Sequence, residues 1–329
     1  ERGRFYNVLR WLGCECGARI DQKFTRWFSE TYLNRFFDEK IEIDDIDARS
    51  YQTPDGGVTL LPYSDKDLEL SAKFVHLIKD EPTTADKESL KRYLTASLTD
   101  RKADLSRIVR ALYGLSAFKE PILITLQNIK TDRNLTLLDK VYIALAFDGL
   151  GAKEEARAYY RTEIKPTLTT KKPFVYVSKL KSQDDNIIAT ALLAGLTASL
   201  SEPESDGLGQ YAIENYPEET LKNFEELLYL KAALPKLSSD KVSFSWRTSA
   251  KSGSKTLENN EVFRLELPRD ELATLQFSDV KGRIGLVSNF EKESSPADVK
   301  KDTTIGISRN YSVDGRPTTE FSDGDLVRV

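Results

Sequence analysis

The chain has 329 residues, 40% of them hydrophobic and 30% charged, with 48 Lys and Arg against 52 Asp and Glu. That length suits two or three domains of ~100–200 residues and a sizeable buried core. A formal net charge of −4 leaves no basic footprint for nucleic acid. No apolar run approaches the ~18 residues of a membrane span, and the start has no signal-peptide pattern. Met is absent, which reads as a processed product or a piece of a longer chain.

Up to about residue 235 the apolar positions recur at helical spacing. Residues 22–37 predict an aromatic helix carrying Phe24, Trp27, Phe28, Leu33, Phe36 and Phe37. Residues 64–79 predict a helix capped by Ser64, with Leu68, Ala72, Val75 and Ile78 on one face. Further helical stripes cover 84–98, 102–117, 121–130, 135–148, 152–164, 183–200, 206–215 and 217–234. Pro121 suits a first helical turn, and Gly149 and Gly151 stop the helix before them. The polar connections are short, so neighbours are antiparallel hairpins. No strict period marks a regular repeat array. The Ala- and Leu-rich helix 183–200 has little polar surface and reads as central. This favours helix pairs closed into an α/α toroid over an open solenoid.

Beyond residue 235 the pattern turns to strands. Val242–Trp246, Val262–Leu267, Leu275–Phe277, Gly282–Val287, Ile305–Ser308 and Tyr311–Val313 alternate or form short β-branched runs. Asp314-Gly315 is a turn signal, and Asp323–Val329 reads as one more strand. The Lys-, Ser- and Glu-rich stretch Glu291–Lys301 reads as a linker. The predicted class is mainly α followed by β, an α/α toroid of helical hairpins with C-terminal antiparallel β segments. Its expected divisions are 1–236, 237–291 and 292–329, the last too short to close a sandwich.

Few residues offer chemistry. In Gln52-Thr53-Pro54-Asp55-Gly56-Gly57 the glycines permit positive φ and close backbone approach, and Asp55 suits a tight turn. The plain reading is a well-made loop between helices, and Gln followed by Asp-Gly-Gly recurs in α/α-toroid proteins. Cys14 and Cys16 are the two cysteines. One intervening residue suits neither an ordinary disulfide nor a Cys-x-x-Cys redox pair. With one His in the chain they fall short of four metal ligands. His76 falls beside Glu69 and Lys73 on a helical wheel, a polar face on which it is ordinarily solvated. No phosphate-binding glycine loop, metalloprotease helix or nucleophile elbow is present, so neither cofactor nor metal is expected.

Four stretches together resemble the C-terminal third of bacterial-type alpha-2-macroglobulins. Tyr51–Val58 with Leu68-Glu69-Leu70-Ser71-Ala72 is similar to the loop and helix of the family's thioester domain. Asn223–Leu230 is similar to its last helix, and Leu272–Gly282 to the β segment that follows. Ile305–Tyr311 and Asp323–Val327 resemble the opening of the terminal macroglobulin-like domain. The resemblance implies a protease inhibitor that encloses its targets, is not an enzyme, and resides in the periplasm or at the cell surface. It also implies the terpenoid-cyclase-like toroid as the fold. Many members carry a thioester between Cys and Gln in Cys-x-Glu-Gln, residues that a helical turn brings together. Here Cys14 is followed at three by Gly17 and Cys16 by Arg19, while the nearest Gln is Gln22. Cys14 is the one position carried over as a thioester candidate. The competing readings are a toroid enzyme, such as a glycosidase, lyase or terpene cyclase, and a binding scaffold without chemistry.

Overall fold

The computed structural model describes residues 2–100, 103–218, 222–237, 241–258, 261–282, 284–288, 295, 311–313, 316–320 and 327–328. It opens with α1 (Arg2–Leu12) and α2 (Ile20–Phe37). A short ladder, β1 (Val58–Thr59) with β2 (Lys66–Asp67), leads into α3 (Leu68–Ile78). Next come α4 (Lys87–Thr99), α5 (Leu105–Ala117), α6 (Leu123–Ile129) and α7 (Leu137–Leu150). Then α8 (Lys153–Tyr159) runs into a π turn over Tyr160–Ile164. A hairpin, β3 (Thr169–Lys171) with β4 (Phe174–Tyr176), precedes α9 (Gln183–Leu200), α10 (Ser205–Glu214) and α11 (Asn223–Ala233).

Side-chain caps fix the starts of α3, α4, α5, α7 and α9 by satisfying amides that have no helical acceptor. Asp86, Asp104 and Ser182 accept from the amides of Ser89, Arg107 and Asp185 at 3.0, 2.8 and 2.9 Å. Thr136 and Asp139 form a reciprocal capping box on α7, which ends at Gly151 with φ 87°. The cap of α3 is Asp67, whose Oδ1 lies 2.6 Å from the Leu70 amide, so the helix starts later than Ser64. The Ser64 hydroxyl is spent inside its own turn, bonded to Leu61 at 3.0 Å.

Contacts between early residues and between late residues show that α2, α3, α5, α7, α9 and α11 run parallel. At their starts, Asn223 Nδ2 meets Asp21 Oδ2 at 3.2 Å, and Arg110 bridges Glu69 and Asp139 at 2.6 and 2.8 Å. The Glu218 amide, just before α11, reaches Asp184 at 2.9 Å. Towards their ends, His76 meets Tyr113, Arg35 meets Glu81, and Lys236 reaches the last carbonyls of α9. Outer helices α1, α4, α8 and α10 pack against this ring, which makes a closed double layer. Fourteen of the 18 residues of α9 are buried, as suits a central helix. Phe24, Phe74 and Phe224 interlock with centroids 5.2–5.9 Å apart. Each such ring contributes about 1.5–3 kcal/mol of burial.

The helix α1 lies outside the expected set, which begins at residue 22, and Phe5, Val8, Leu9 and Leu12 form its buried stripe. Past the ring, β5 (Val242–Arg247) is the central strand between β6 (Ser252–Leu257) and β7 (Gln276–Lys281), with α12 (Arg269–Leu272) before β7. Val262–Leu267 forms no strand, contrary to expectation. Both edges of β5 are already paired, and Phe263 instead packs its ring on Phe244 and Trp246. Residues 284–287 form no strand either. These elements belong to one unit, Glu1–Val287. The second unit, Ser288–Val329, contains a small antiparallel sheet of β8 (Ser312–Val313), β9 (Arg316–Pro317) and β10 (Val327–Arg328), in the order β10-β8-β9. The expected strand Ile305–Ser308, the turn Asp314-Gly315 and nearly all of the linker Glu291–Lys301 lie outside the described residues. No described helix is long and apolar enough to cross a membrane.

Candidate functional site

The starts of the inner helices gather charge in the core. Glu69 and Lys73 on α3, Arg110 on α5, Asp139 on α7 and Glu225 on α11 form one network. Lys73 Nζ lies 2.6 Å from Glu69 and 2.5 Å from Glu225. Burial alone raises the Glu69 carboxyl, but Lys73 and Arg110 outweigh it and hold it down at about 2. Lys73, between two carboxylates, is held protonated against the cost of burial. Burial pushes the Glu225 carboxyl up, with Lys73 opposing. These helix starts favour carboxylates, because the macrodipole is positive there.

Two neighbouring cavities open at this end. One, of about 320 Å³, is lined by residues that include Asp21, Asp67, Glu69, Lys73, Asn223 and Glu225. The other, of about 350 Å³, includes Trp11, Glu15, Arg19, Tyr216, Lys222 and Asn223. Asn223 borders both, so the two adjoin. Asp21, 2% exposed, accepts from Arg19 at 3.0 and 3.3 Å and from Asn223. Lys222 is buried and pairs with Glu226 at 2.9 Å. Burial pushes the Glu226 carboxyl up to about 6, with Lys222 opposing and Glu225 and Glu15 adding to the rise.

Cys14 stands just past α1, exposed, its thiol donating to the Arg10 carbonyl at 3.3 Å. Cys16 is also exposed, and neither is in a disulfide. Glu15 between them borders the second cavity. Gly17 has φ +146°, and a Cβ there would fall 2.0 Å from Gln22 Oε1. The turn thus folds the Gln22 carboxamide over the residue after Cys16, a proximity that the linear spacing hides. No Gln stands three residues after either Cys, so the helical thioester ring of Cys-x-Glu-Gln has no local acyl donor.

The Gln52–Gly57 loop is structural. Gln52 receives the Asp86 amide at 2.7 Å and donates to the Asp86 carbonyl at 3.1 Å, which pins the loop to the start of α4. Asp55 pairs with Lys66 and accepts from Thr53 at 2.6 Å. Gly56, at φ +99°, lies so close to α4 that a Cβ would be 2.0 Å from the Ser89 carbonyl oxygen. Gly57 packs its bare backbone on Lys66 and Tyr93.

His76 does not stand on a solvated face. It is 8% exposed, not solvated, with its ring stacked on Tyr113 at 4.0 Å and Nε2 donating to the Tyr113 carbonyl at 2.7 Å. The wheel's polar face of α3 is turned into the ring, where other inner helices cover it. Burial holds the imidazole down at about 3, so it is neutral at physiological pH. Among the described residues no group of His, Cys, Asp and Glu could hold a metal ion.

A closed α/α toroid trailed by short antiparallel sheets is thus the class that these elements define. The same fold occurs in solved structures of an Escherichia coli protein. The cryo-EM structure of native E. coli alpha-2-macroglobulin matches 83% of this chain at 16% identity and a TM-score of 0.53. The crystal structure of the native E. coli protein from domain MG7 to the C-terminus matches 83% at 15% identity and the same TM-score. This chain spans 19% of the first and 48% of the second. No protein-family model and no curated protein matches the sequence.

Proposed function

We propose that this chain is the thioester-type helical domain and trailing β region of a bacterial alpha-2-macroglobulin-like protease trap, one that works by enclosure without a local thioester. The observation that carries the reading is the shared fold across 83% of the chain. The proposed divisions are a toroid over 1–236, a β segment over 237–291 and the start of a terminal macroglobulin-like domain over 292–329. The partners are proteases, the location is the periplasm or cell surface, and the chain itself catalyses nothing. Cys14 and Cys16 then serve as free thiols. The geometry around them supports this: Cys14 is bonded back to its own helix, and neither Cys has a Gln at the helical spacing.

The test uses the full-length protein that carries this chain. A trapped protease keeps its activity on a small peptide substrate and loses it on a large protein substrate. Loss of both activities, or of neither, contradicts enclosure.

A further inference from the structure

The cavity beside the two cysteines has a definite charge balance. Its cations are already neutralised from behind: Arg19 by Asp21 at 3.0 and 3.3 Å, and Lys222 by Glu226 at 2.9 Å. Lys222 also sits 3.6 Å from the centroid of Tyr216 and donates to the Ala212 carbonyl, which leaves it no reach toward a ligand. The Glu15 and Glu218 side chains, by contrast, have no hydrogen-bond or ion-pair partner among the described residues. Two large rings stand over the same space, half in water. Trp11 is 50% exposed and Tyr216 49%, edge to face with centroids 5.4 Å apart. An exposed Trp and Tyr would ordinarily be covered, and aromatic faces attract cations.

We propose that this cavity is a binding site for a basic side chain, an arginine or lysine presented by a partner polypeptide. The guanidinium or ammonium lies against Trp11 and pairs with Glu15 and Glu218, while Tyr216, whose ring already carries Lys222, backs the Trp11 ring. The volume of about 350 Å³ accommodates one such side chain with its stem. The charge balance of the lining agrees: Arg19 and Lys222 are each paired with a carboxylate, which leaves Glu15 and Glu218 over. An acidic peptide finds no free cation here. The inference does not depend on protease trapping, since it rests on the cavity alone.

Trp11 supplies the readout, because of the three tryptophans it is half exposed while Trp27 is 8% exposed. The chain is titrated with acetyl-Gly-Arg-Gly-amide, the lysine counterpart, and the uncharged citrulline analogue, following tryptophan emission and calorimetric heat. The expected result is saturable binding of the arginine or lysine peptide with a dissociation constant below about 10 mM. The citrulline peptide should bind at least about tenfold more weakly, as should the basic peptide to the Glu15→Gln/Glu218→Gln variant. That variant keeps Trp11, and its circular dichroism reports whether it is folded. Trp11→Phe, followed by heat alone, should retain part of the affinity. Equal binding of the citrulline analogue, undiminished binding by the double variant, or no saturation by 10 mM overturns the proposal.

Discussion

The two ends of the inner ring meet the same electrostatic demand in different ways. Six parallel helices place positive dipole ends together at one side and negative ends at the other. At the starts, carboxylates answer the dipole and then need cations of their own, so Asp21, Glu69, Asp139, Glu225 and Glu226 are tied to Arg19, Lys73, Arg110 and Lys222. At the far end Glu81 and Glu202 are paired in the same way, with Arg35 and with Arg157 and Arg161, but several cations also cap carbonyls directly. Lys119 donates to Gly149, Lys231 to His76 and Leu77, Lys236 to Ala198 and Ser199, and Arg157 to Leu200. Capping satisfies a backbone group and a charge with one contact. Pairing does so with mutually dependent buried charges, and it leaves cavities between them. The two cavities lie at the start of the ring, among the linked charges.

The sharpest way to break this contrast is to remove Lys73. Lys73→Met strands the buried Glu225 without its cation, leaves Glu69 only Arg110, and should cost about 3–5 kcal/mol in urea unfolding. A loss below about 1 kcal/mol would mean that the network is not what holds these helices together. Gly56→Ala comes next, with a cost of about 2 kcal/mol or more, since positive φ and contact with the Ser89 carbonyl both oppose a Cβ. A neutral outcome would show the loop free to move off α4.

The far end has its own test in pH. His76 has a folded pKa near 3 against 6.5 when unfolded, so the unfolded state binds the extra proton between those values. Stability should fall as pH drops from 6.5 toward 3, at up to about 1.4 kcal/mol per unit. Glu226 acts in the opposite sense: its raised carboxyl, at about 6 against 4.5, costs stability as pH rises through that interval. His76→Phe keeps the stack on Tyr113 and should flatten the acid limb, while the Tyr113 carbonyl still accepts from Ser116 at 2.6 Å. An unchanged limb would place the acid sensitivity elsewhere. Lys236→Ala should have the smallest effect, about 0.3–1 kcal/mol, as one exposed cap on the end of α9.

The contrast also explains what could be read in the sequence. The apolar stripes of α5, α7 and α9 carry their own evidence of burial, and the Ala- and Leu-rich α9 marked a closed ring. The charged network was illegible for the reason that makes it informative. Glu69, Lys73 and His76 share what a helical wheel shows as a solvent face, yet in the closed ring other inner helices cover it and leave Lys73 9% and His76 8% exposed. Polar residues there are neutralised across helices distant in sequence, such as Lys73 with Glu225. The start of α3 was misplaced because Ser64 and Asp67 are both competent caps, and local turn bonding decided between them. The hairpin Thr169–Tyr176 was missed because three-residue strands carry too little alternation to stand out. The resemblance of the Gln52–Gly57 loop was a clue to the fold, and the structure gives those residues the work of fastening a loop.

The central claim is enclosure without a local thioester, and intact mass with thiol titration of the folded chain, before and after methylamine, tests it most directly. The account predicts that Cys14 and Cys16 both titrate from the start and that no methylamine is added. A thiol that appears only after treatment, together with the mass of one methylamine, would contradict it. That result would mean a live acyl bond, with the Gln22 carboxamide folded over Gly17 as the first place to look.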